Sequence, residues 1–395
     1  MKAFRFPFFR LGIIGGGQLA KMMTQEAKKM GLFVTILDPT PASPAAQVAD
    51  EEIIAGFYDE EGLAKLCATS DIVTYDIEHV NAPFLKSLPG KEKIRPSPEL
   101  LETIQDKFRQ RVVLNEAGLP VPPFALLEED KISAFQAFGF PLVQKARFGG
   151  YDGRGVVTLK SAEDLPKRLK GPSFLEAYVP IEKELAVLVA RSVTGEVRVY
   201  PVVEMLFEPK AHICDLVLAP ARIPESIAEE AQSLGIRCVE VLNGVGIFAI
   251  EMFLTKDRKL LINEIAPRPH NSGHFTIEAC ATSQFEEHLR AILGLPLGST
   301  QLLTPAVMVN LLGEEGESGP PIVEGLEEAL AIEGVSFHFY GKWETRPFRK
   351  MGHVTVIDAT LEGALTKALK VKEILKIKGE RKEKEYASCW HHHGE

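Results

Sequence analysis

This sequence of 395 residues has few cysteines, no long apolar run and no excess of positive charge. The five cysteines are scattered and form no C-x-x-C pair, which argues against a disulfide framework or a zinc cluster and favours a reducing cytoplasm. No apolar run approaches the roughly 18 residues of a transmembrane helix, so we expect no membrane span. The net charge of −9 argues against a nucleic-acid-binding protein.

Internal repeats and low-complexity segments are absent too, and the chain ends carry little information. Residues 1–10 are basic and aromatic but lack the apolar core and cleavage site of a signal peptide. The run Cys389-Trp390-His391-His392-His393 is better explained as a disordered or added tail than as a metal site. The remaining composition, 45% hydrophobic and 25% charged, is typical of a soluble globular protein with two or three domains.

Two apolar runs at residues 246–254 and 260–266 flank a short polar segment and predict a β-hairpin. With a tight turn centred on residues 257 and 258 and an uninterrupted register, Glu251 faces Glu264. Two opposed carboxylates in an apolar hairpin repel each other unless a cation lies between them. Mg²⁺ suits such a pair because it binds one or two carboxylates together with water and substrate phosphates. The alternative is an Arg or Lys elsewhere that neutralises one glutamate.

A glycine-rich turn follows the first predicted strand, residues 11–14. Gly15 to Ala20 (GGGQLA) opens a helix, and this β-α-β start matches the dinucleotide-binding fingerprint of a nicotinamide-dependent oxidoreductase. Another anionic ligand at the helix N-terminus, or glycines needed only for close packing, explains the pattern as well. Glu78 follows a further strand at 71–75 and is either a ligand-binding residue beyond the strand's carboxyl end or a solvated surface carboxylate.

A second glycine-rich segment, residues 149–155 (GGYDGRG), joins predicted strands at 140–146 and 155–159. Its backbone amides can approach an anion closely, and Lys145 can reach a nucleotide phosphate. No G-K-[ST] precedes a helix, so this is not a Walker A loop. A flexible hairpin with an ordinary surface lysine is the alternative.

Amphipathic helices are predicted at residues 99–117 and 276–293, and a smaller α/β unit begins near residue 304. A basic cluster lies between two strands of that unit, at Lys342, Arg346, Arg349 and Lys350. In an acidic protein such a cluster can serve an anionic substrate, although a solvated charged loop explains it equally well.

Taken together, the glycine-rich β-α-β domain, Lys145 before its loop, and Glu251 with Asn263-Glu264 resemble the ATP-grasp superfamily of carboxylate–amine ligases. Three motifs are similar to one family within it, the N5-carboxyaminoimidazole ribonucleotide synthetases of purine biosynthesis. They are GGGQLA at 15–20, GGYDGRG at 149–155 and NEIAPRPHNSGH at 263–274. The HNSGH portion separates this family from sister enzymes such as formate-dependent glycinamide ribonucleotide transformylase. The resemblance covers roughly residues 11–358.

This resemblance implies an α/β chain with an ATP-grasp fold. We expect an N-terminal Rossmann-like, parallel-sheet substrate domain at residues 1–100 and a nucleotide- and metal-binding ATP-grasp domain at 101–298. A small C-terminal α+β domain at 299–380 and a tail at 381–395 complete the expected organisation. The resemblance also implies a cytoplasmic homodimer with small-molecule substrates only, and with neither a nucleic acid nor a membrane as partner.

The implied activity is that of an ATP-dependent ligase. ATP and bicarbonate form carboxyphosphate and ADP, and the exocyclic amine of 5-aminoimidazole ribonucleotide then takes the carboxyl group. ATP and Mg²⁺ are the expected cofactors, with Mn²⁺ tolerated in place of Mg²⁺. A closing glycine-rich loop would shield carboxyphosphate from water. An ATP-grasp ligase acting on another acceptor, or the oxidoreductase, is the alternative.

The resemblance assigns roles position by position. Glu251 and Glu264 match the Mg²⁺ ligands, and Arg268 and Asn271 match residues placed against carboxyphosphate. Lys145, His270 and His274 are the other expected catalytic residues. Nucleotide contacts are expected at Lys107, Lys145, Gly150, Tyr151, Asp152, Gly153, Arg154, Gly155, Glu176, Ala177, Tyr178, Val179, Glu184, Phe207, Asn263 and Glu264, with Glu176 and Val179 near the adenine and Glu184 at the ribose. Ribonucleotide contacts are expected at Gly17, Gln18, Glu78, Tyr151, Asp152, Arg154, Lys342, Arg349 and Lys350.

Two histidines and two departures need comment. His270 and His274 are four residues apart, but without an H-E-x-x-H motif we expect orienting or proton-handling groups rather than zinc ligands. Phe207 lies near a position where many relatives carry a histidine, which puts local nucleotide contacts in doubt. Ala20 stands where relatives often have glycine, a change that keeps the helix.

Overall fold

The computed structural model describes residues 9–128, 131–150, 155–210 and 213–380. The roles predicted for Tyr151, Asp152, Gly153 and Arg154, and the predicted tail at 381–395, lie outside these ranges.

The N-terminal unit contains the predicted β-α-β start. Its strands are β1 (Arg10–Ile14), β2 (Phe33–Asp38), β3 (Glu51–Ile54) and β4 (Ile72–Tyr75), and its helices are α1 (Gln18–Lys29), α2 (Glu60–Thr69) and α3 (Ala82–Ser87). The strands form a parallel sheet in the order β3-β2-β1-β4. This order places the loops after β1 and β4 side by side at the carboxyl edge of the sheet, where ligands of such sheets bind.

The helix predicted at residues 99–117 is two helices, α4 (Pro98–Gln105) and α5 (Lys107–Glu116). Asp106 lies at the break, and its carboxylate accepts hydrogen bonds from the backbone N–H groups of Phe108 and Arg109. An aspartate at this position satisfies the free amides of a helix N-terminus, so a new helix begins there. The prediction was wrong because hydrophobic spacing reports a buried face and does not reveal an internal cap.

An antiparallel sheet follows the two helices. It consists of β5 (Phe124–Leu127), β6 (Leu142–Ala146), β7 (Val156–Leu159) and β8 (Ser173–Ala177), in the order β5-β8-β6-β7. One face packs against α6 (Ile132–Phe138), where Phe135 is fully buried. Since side chains alternate along a strand, the opposite face carries Lys145 and Glu176. The hairpin of β6 and β7 flanks the glycine-rich loop, as predicted.

The largest sheet of the described residues begins with the strands β9 (Ile181–Arg191), β10 (Val197–Val199), β11 (Val203–Phe207), β12 (Cys214–Ala219), β13 (Gly246–Thr255) and β14 (Leu260–Ala266). Their order is β14-β13-β9-β11-β12, with β10 beside β9. One face is an apolar core against α7 (Glu225–Val241), and it includes Phe248 and Ile250. The alternating residues Ala249 and Glu251 therefore face the other way, toward the candidate site.

The helix predicted at 276–293 is also interrupted, giving α8 (Thr276–Ala279) and α9 (Gln284–Leu293). The Ser283 side chain accepts a hydrogen bond from the Glu286 N–H and caps α9. Helix α9 joins the N-terminal unit to the large sheet, since its apolar face shares a core with β1 and α1 through Phe285, Leu289 and Ile292.

The C-terminal strands continue the large sheet. β15 (Ala306–Leu312) pairs with β12, and β18 (Lys350–Ile357) and β17 (Val335–Phe339) follow outward. A separate small sheet pairs β16 (Pro321–Glu324) with β19 (Lys376–Gly379), and the helices are α10 (Leu326–Leu330) and α11 (Leu361–Ile374). The large sheet thus extends from the hairpin of β13 and β14, which carries Glu251 and Glu264, to β17 and β18, which flank the basic cluster.

Short 3₁₀ helices lie at Ala46–Val48, Lys91–Lys93, Ala162–Lys167 and Asn271–Gly273. Among the helices of the described ranges, none combines the length and apolar character that crossing a bilayer requires.

Glu287 of α9 is a fully buried carboxyl group outside the candidate site. Its Oε2 accepts a hydrogen bond from the Gly298 N–H at 2.8 Å, whereas Oε1 has no partner among the described residues. Burial raises the pKa of Glu287 to about 7 from an ordinary value of 4.5. An acid whose pKa is higher in the folded state stabilises the fold below its unfolded pKa, and this stability is lost as the pH rises through the folded pKa.

We expect Glu287→Gln to remove this pH dependence. Between pH 5 and pH 8 the free energy of unfolding of the variant should rise relative to wild type by about 2–3 kcal/mol, because only the wild type ionises there. Urea unfolding at the two pH values measures the difference. Glu230→Gln, on the exposed face of α7, is the matched control and should stay within about 0.5 kcal/mol of wild type at both. A pH-independent difference for Glu287→Gln would contradict the prediction.

Candidate active site

Strands β13 and β14 place two carboxylates opposite each other. Glu251 faces Glu264 in the antiparallel ladder, which confirms the predicted opposition. The uninterrupted register on which that prediction rested is wrong, because the pairing shifts by one residue directly after Glu251. Asn263 is the extra residue of this β-bulge, and its side chain and carbonyl group are thereby free to bind elsewhere.

The hairpin turn compensates for the bulge. Thr255 donates its N–H to the Lys259 carbonyl, so three residues form the loop instead of the two expected. Arg258, the last of them, has a φ of 64°, the left-handed conformation that closes such a loop. The one-residue longer loop and the one-residue bulge offset each other, which restores the opposition of the glutamates.

Glu251 is the more buried of the two carboxylates. Burial, together with the charges of Glu264 and Glu184, raises the pKa of Glu251 to about 8, although Lys107 and Lys350 oppose the shift. Its Oε1 lies 3.6 Å from His270 Nε2. Glu264, in contrast, accepts a hydrogen bond from Lys107 Nζ at 2.8 Å, so the alternative of a neutralising lysine applies to this residue.

The donor set fits a hard divalent cation that is completed by a substrate. No cluster of three or more His, Cys, Asp or Glu side chains that could hold a metal ion occurs within the described ranges. Glu251 and Glu264 oppose each other, and the raised pKa of Glu251 shows that its negative charge is poorly compensated. A bound Mg²⁺ would compensate it, with water and phosphate oxygens supplying the rest of the metal's ligands.

A buried ionic network links the small antiparallel sheet to the hairpin. Lys145 Nζ lies 2.6 Å from Glu176 Oε2 and 2.9 Å from Asn263 Oδ1. Arg111 of α5 donates to the Glu176 carboxylate and to the Asn263 carbonyl. Burial lowers the pKa of Lys145. Burial alone would raise the pKa of Glu176, but the positive charges of Arg111 and Lys145 outweigh burial, so the pKa of Glu176 is below its usual value. The network holds Lys145 at the edge of the bulge.

The residues expected around the nucleotide base lie near the connection between β8 and β9. Tyr178 is half exposed, Val179 is buried, and Ala177 lies at the end of β8. The Glu176 carboxylate is paired with Arg111 and Lys145, so only the backbone of Glu176 is available for the expected contact with adenine. Glu184 lies on the same face of the sheet as Glu251, where burial raises its pKa. Phe207 is partly buried at the end of β11.

Arg268 connects the hairpin to the N-terminal unit. Its Nη2 lies 2.8 Å from Glu78 Oε1 and 3.0 Å from Glu78 Oε2. The Arg268 Nε atom is buried and has no hydrogen-bond partner among the described residues. Burial opposes the charge of Arg268, but Glu78 and Asp76 outweigh it and raise its pKa. The structure thus brings together Glu78 and Arg268, 190 residues apart in sequence.

The glycine-rich turn before α1 is already occupied by carboxylates of the chain. Gly17 N–H donates to Asp76 at 2.8 Å, and Gly16 N–H donates to Asp38 at 2.7 Å. A Cβ atom on Gly15, which has a φ of 99°, would lie 1.8 Å from the Asp76 carboxylate. A pyrophosphate at this turn would meet these negative charges, which counts against the dinucleotide-binding alternative.

The loop after Arg268 is held by Gln284, a residue that the sequence analysis did not select. Gln284 Oε1 accepts the His270 N–H at 2.9 Å, and its Nε2 donates to the His270 carbonyl at 2.7 Å. The His270 ring contacts the Ser272 hydroxyl through Nδ1 at 2.9 Å. Burial, with the charges of Arg268 and Lys350, lowers the pKa of His270 well below its ordinary value, so this ring is neutral.

His274 lies at the end of the loop and is fully buried. Its ring stacks on His353 with centroids 4.5 Å apart and on Phe285 at 5.9 Å. Its Nδ1 lies 3.2 Å from Gln284 Nε2. Burial lowers the pKa of His274 well below its ordinary value. The expected catalytic role would therefore have to act through the packing of the loop.

The C-terminal basic cluster lies beside the site. Lys350 is close enough to lower the pKa values of both Glu251 and His270. Lys342 Nζ donates to the Lys350 carbonyl at 2.5 Å, and Arg349 Nη1 donates to the Glu344 carbonyl at 2.6 Å. Helix α1, which begins at Gln18, contacts the same region, since Lys21 Nζ donates to the Tyr340 carbonyl at 2.9 Å.

Four residues that shape the site were missed from the sequence: Asp76, Arg111, Gln284 and Asn310. Asp76 had a signal, since it directly follows strand β4 at the sheet edge where ligands bind. Arg111 and Gln284 each lie in a segment predicted to be helical from hydrophobic spacing, and such spacing does not reveal which polar residue turns inward. Asn310 interrupts the apolar strand β15, a position at which a buried polar residue needs partners.

Family models match three consecutive parts of this chain. The family model of the ribonucleotide synthetase preATP-grasp domain matches residues 8–105, and the ATP-grasp domain matches residues 112–285. The phosphoribosylaminoimidazole carboxylase C-terminal domain matches residues 306–367.

Named relatives agree with these matches. The N5-carboxyaminoimidazole ribonucleotide synthase of Bacillus subtilis is 41% identical over 356 residues, covering 89% of this chain and 92% of the relative. A phosphoribosylaminoimidazole carboxylase of Schizosaccharomyces pombe is 42% identical, and this chain spans 64% of its length.

Solved structures are similar as well. The N5-carboxyaminoimidazole ribonucleotide synthetase of Thermotoga maritima has a TM-score of 0.88 at 59% identity, covering 94% of this chain and 100% of that one. An Aspergillus clavatus N5-carboxyaminoimidazole synthase in complex with ADP and 5-aminoimidazole ribonucleotide has a TM-score of 0.86 at 35% identity, covering 93% and 99%.

Proposed function

This chain belongs to the N5-carboxyaminoimidazole ribonucleotide synthase family of ATP-grasp ligases, and we propose that it carboxylates 5-aminoimidazole ribonucleotide with ATP and bicarbonate in purine biosynthesis. One observation carries the proposal: the two hairpin carboxylates, Glu251 and Glu264, lie near Arg268, which pairs with Glu78 of the N-terminal unit. This arrangement joins a nucleotide site to the carboxyl edge of the N-terminal sheet, where a second small substrate can bind.

The chemistry proceeds in two steps. A bicarbonate oxygen attacks the γ-phosphorus of ATP, the bond to the bridging oxygen breaks, and ADP leaves with carboxyphosphate formed. The exocyclic amine then forms a bond to the carboxyl carbon while the bond to the phosphate oxygen breaks. The amine loses one proton, and phosphate is released. Both steps depend on positioning and charge stabilisation more than on a strong base.

Glu251 and Glu264 would hold Mg²⁺, with Mn²⁺ accepted in its place. When bound, the ion neutralises charge that develops on the phosphate oxygens. Lys145 is suited to the same phosphates, since its ammonium group is held at the bulge by Glu176 and Asn263. Lys107 beside Glu264 adds a second positive charge. Electrostatic preorganisation of this kind lowers the barrier of phosphoryl transfer.

Arg268 and Asn271 are proposed to bind carboxyphosphate. The guanidinium group can donate two parallel hydrogen bonds to a planar oxyanion, and its buried Nε lacks a partner among the described residues. The neutral His270 ring, 3.6 Å from Glu251, is placed to orient the loop or accept a proton. His274 supports this loop through its packing.

The ribonucleotide is proposed to lie between the N-terminal and C-terminal units. Glu78 lies at the carboxyl edge of the N-terminal sheet, with Gly17 and Gln18 nearby, and can accept hydrogen bonds from an amine. Lys342, Arg349 and Lys350 supply positive charge for a phosphate. The roles predicted for residues 151–154 belong to the same proposal.

The domain division at residues 100, 298 and 380, a cytoplasmic location and a homodimeric state are part of this proposal. Four cysteines of the described residues are buried free thiols, which suits a reducing compartment. Analytical ultracentrifugation would report the oligomeric state directly.

We expect 5-aminoimidazole ribonucleotide to stimulate ADP release from the purified protein with Mg²⁺, ATP and bicarbonate by at least roughly tenfold, because the amine removes carboxyphosphate from the site. A coupled ADP assay measures the rate, and mass spectrometry detects the N5-carboxylated product. If ATP binds but 5-aminoimidazole ribonucleotide does not stimulate ADP release, the substrate is a different amine. Binding of NAD in place of ATP would overturn both the nucleotide assignment and the proposed function.

A further inference from the structure

Asn310 forms a closed pair of hydrogen bonds with Asn271. Asn271 Nδ2 donates to Asn310 Oδ1 at 2.8 Å, and Asn310 Nδ2 donates to Asn271 Oδ1 at 2.8 Å. A third bond runs from Asn310 Nδ2 to the Cys214 carbonyl at 2.8 Å. Both asparagines are buried. Two strands of the large sheet, β12 and β15, thereby hold one residue of the loop that follows Arg268.

These contacts determine which way each amide points. The Cys214 carbonyl can only accept a hydrogen bond, so the nearer end of the Asn310 amide must be its nitrogen. The other end of the Asn310 amide is then its oxygen, Oδ1, which can only accept a hydrogen bond, so the Asn271 atom facing it must be the nitrogen Nδ2. Both hydrogens of Asn310 Nδ2 are used, whereas Asn271 keeps one hydrogen and one acceptor lone pair for a ligand.

The orientation matters because the proposed ligand is an anion. An amide hydrogen attracts an oxyanion such as carboxyphosphate, and an amide oxygen at the same place repels it. A free asparagine can turn by 180° about its last side-chain bond and exchange the two groups. A fixed donor also needs no reorganisation when charge develops.

We propose that Asn310 is a positioning residue that holds the Asn271 amide with its free hydrogen available to the carboxylating intermediate, an inference that rests on the proposed function. Packing alone does not require an asparagine here. Met308, two residues earlier on the same face of β15, is apolar, and a leucine of similar size would suit the strand. A buried amide is destabilising unless its hydrogen bonds are made, and here they are made to a residue of the site.

Two variants test this role in the full-length protein. Asn310→Asp keeps the shape and the acceptor but loses the donor, and Asn310→Leu loses both. We expect each to lower kcat/KM for bicarbonate by roughly 10- to 100-fold, within reach of the effect of losing one aligned donor. The KM for ATP should change less than about twofold, because the Lys145 network is untouched. ADP formed per carboxylated product should rise.

Thr355→Val is the matched control. Thr355 is a buried residue of β18 whose hydroxyl has no partner among the described residues, and it lies opposite Met308, two positions from Asn310. The control should keep wild-type kinetics. The cycle with Asn271→Ala gives a sharper test, since adding Asn310→Leu to Asn271→Ala should reduce kcat/KM by less than about twofold further.

Clear outcomes would overturn the proposal. One is a folded Asn310→Leu protein whose kcat/KM for bicarbonate is within about twofold of wild type. Another is an equal loss in ATP binding, or full additivity with Asn271→Ala, which would indicate a structural role only. Side-chain amide NMR separates this proposal from the function itself. Even without any carboxylase activity, hydrogen exchange of the Asn271 amide should accelerate at least about tenfold in Asn310→Leu and not in Thr355→Val. Unchanged exchange would also overturn the proposal.

Discussion

Glu264→Ala should lower the rate of ADP formation by on the order of 100- to 1,000-fold while leaving the protein folded. Glu264 is one of only two carboxylates that face each other across the hairpin, and a magnesium site of this kind has few protein ligands to lose. The side chain is 44% exposed and pairs with Lys107, so its removal should change the free energy of unfolding by no more than about 1 kcal/mol.

The mechanism can be separated from the fold by two further measurements. Mn²⁺ binding, followed by electron paramagnetic resonance in the presence of ATP, should weaken with the activity. Glu324→Ala is the matched control, because Glu324 also pairs with a lysine, Lys378 at 2.7 Å, across the small sheet of β16 and β19. It should keep wild-type activity. Near-normal turnover in Glu264→Ala would exclude the assigned metal role.

Arg268→Lys should reduce kcat/KM for bicarbonate by roughly 100-fold with the positive charge retained. Arg268 uses its nitrogens separately: Nη2 contacts Glu78, Nη1 donates to the Pro269 carbonyl and the buried Nε has no partner among the described residues, an arrangement that a single ammonium group cannot reproduce. Arg268→Met should be more severe. It removes the charge that now opposes the raised pKa of Asp76, about 6, and leaves Glu78 without its ion pair.

Arg222→Lys supplies the matched control. Arg222 contacts both oxygens of Glu204, at 2.6 and 3.0 Å, on the α7 side of the large sheet and away from the candidate site. Replacing the guanidinium group with an ammonium group at residue 222 should leave kcat/KM within about twofold of wild type. If Arg268→Lys behaves like Arg222→Lys, the guanidinium geometry at residue 268 is not needed for catalysis.

The hairpin shows how a correct prediction can rest on incomplete reasoning. Two continuous apolar runs located both strands, and the charges of Glu251 and Glu264 located the site. The bulge at Asn263 and the three-residue turn could not be read from the sequence, because each depends on contacts made elsewhere. Asn263 leaves the ladder in order to bind Lys145 and Arg111, which lie more than 100 residues away.

The breaks in two predicted helices have a similar origin. Asp106 caps α5 and also pairs with Arg147 beside the glycine-rich loop, so its position serves both segments. Spacing of apolar residues detects which face is buried over a whole helix, and it does not detect a single capping side chain. The missed residues Arg111 and Gln284 are of the same kind, since the partners of their side chains lie outside their own helices.

The sequence by itself determined the family, the ATP-grasp fold and the identity of the hairpin carboxylates, because these depend on local motifs and on apolar runs that flank a turn. Only the tertiary structure decided that Glu78 meets Arg268, that Asp76 fills the glycine-rich turn, and that Asn310 orients Asn271. Each of these pairs is made by residues far apart in the chain. Their hydrogen bonds form only after burial has excluded water, so no local pattern records them.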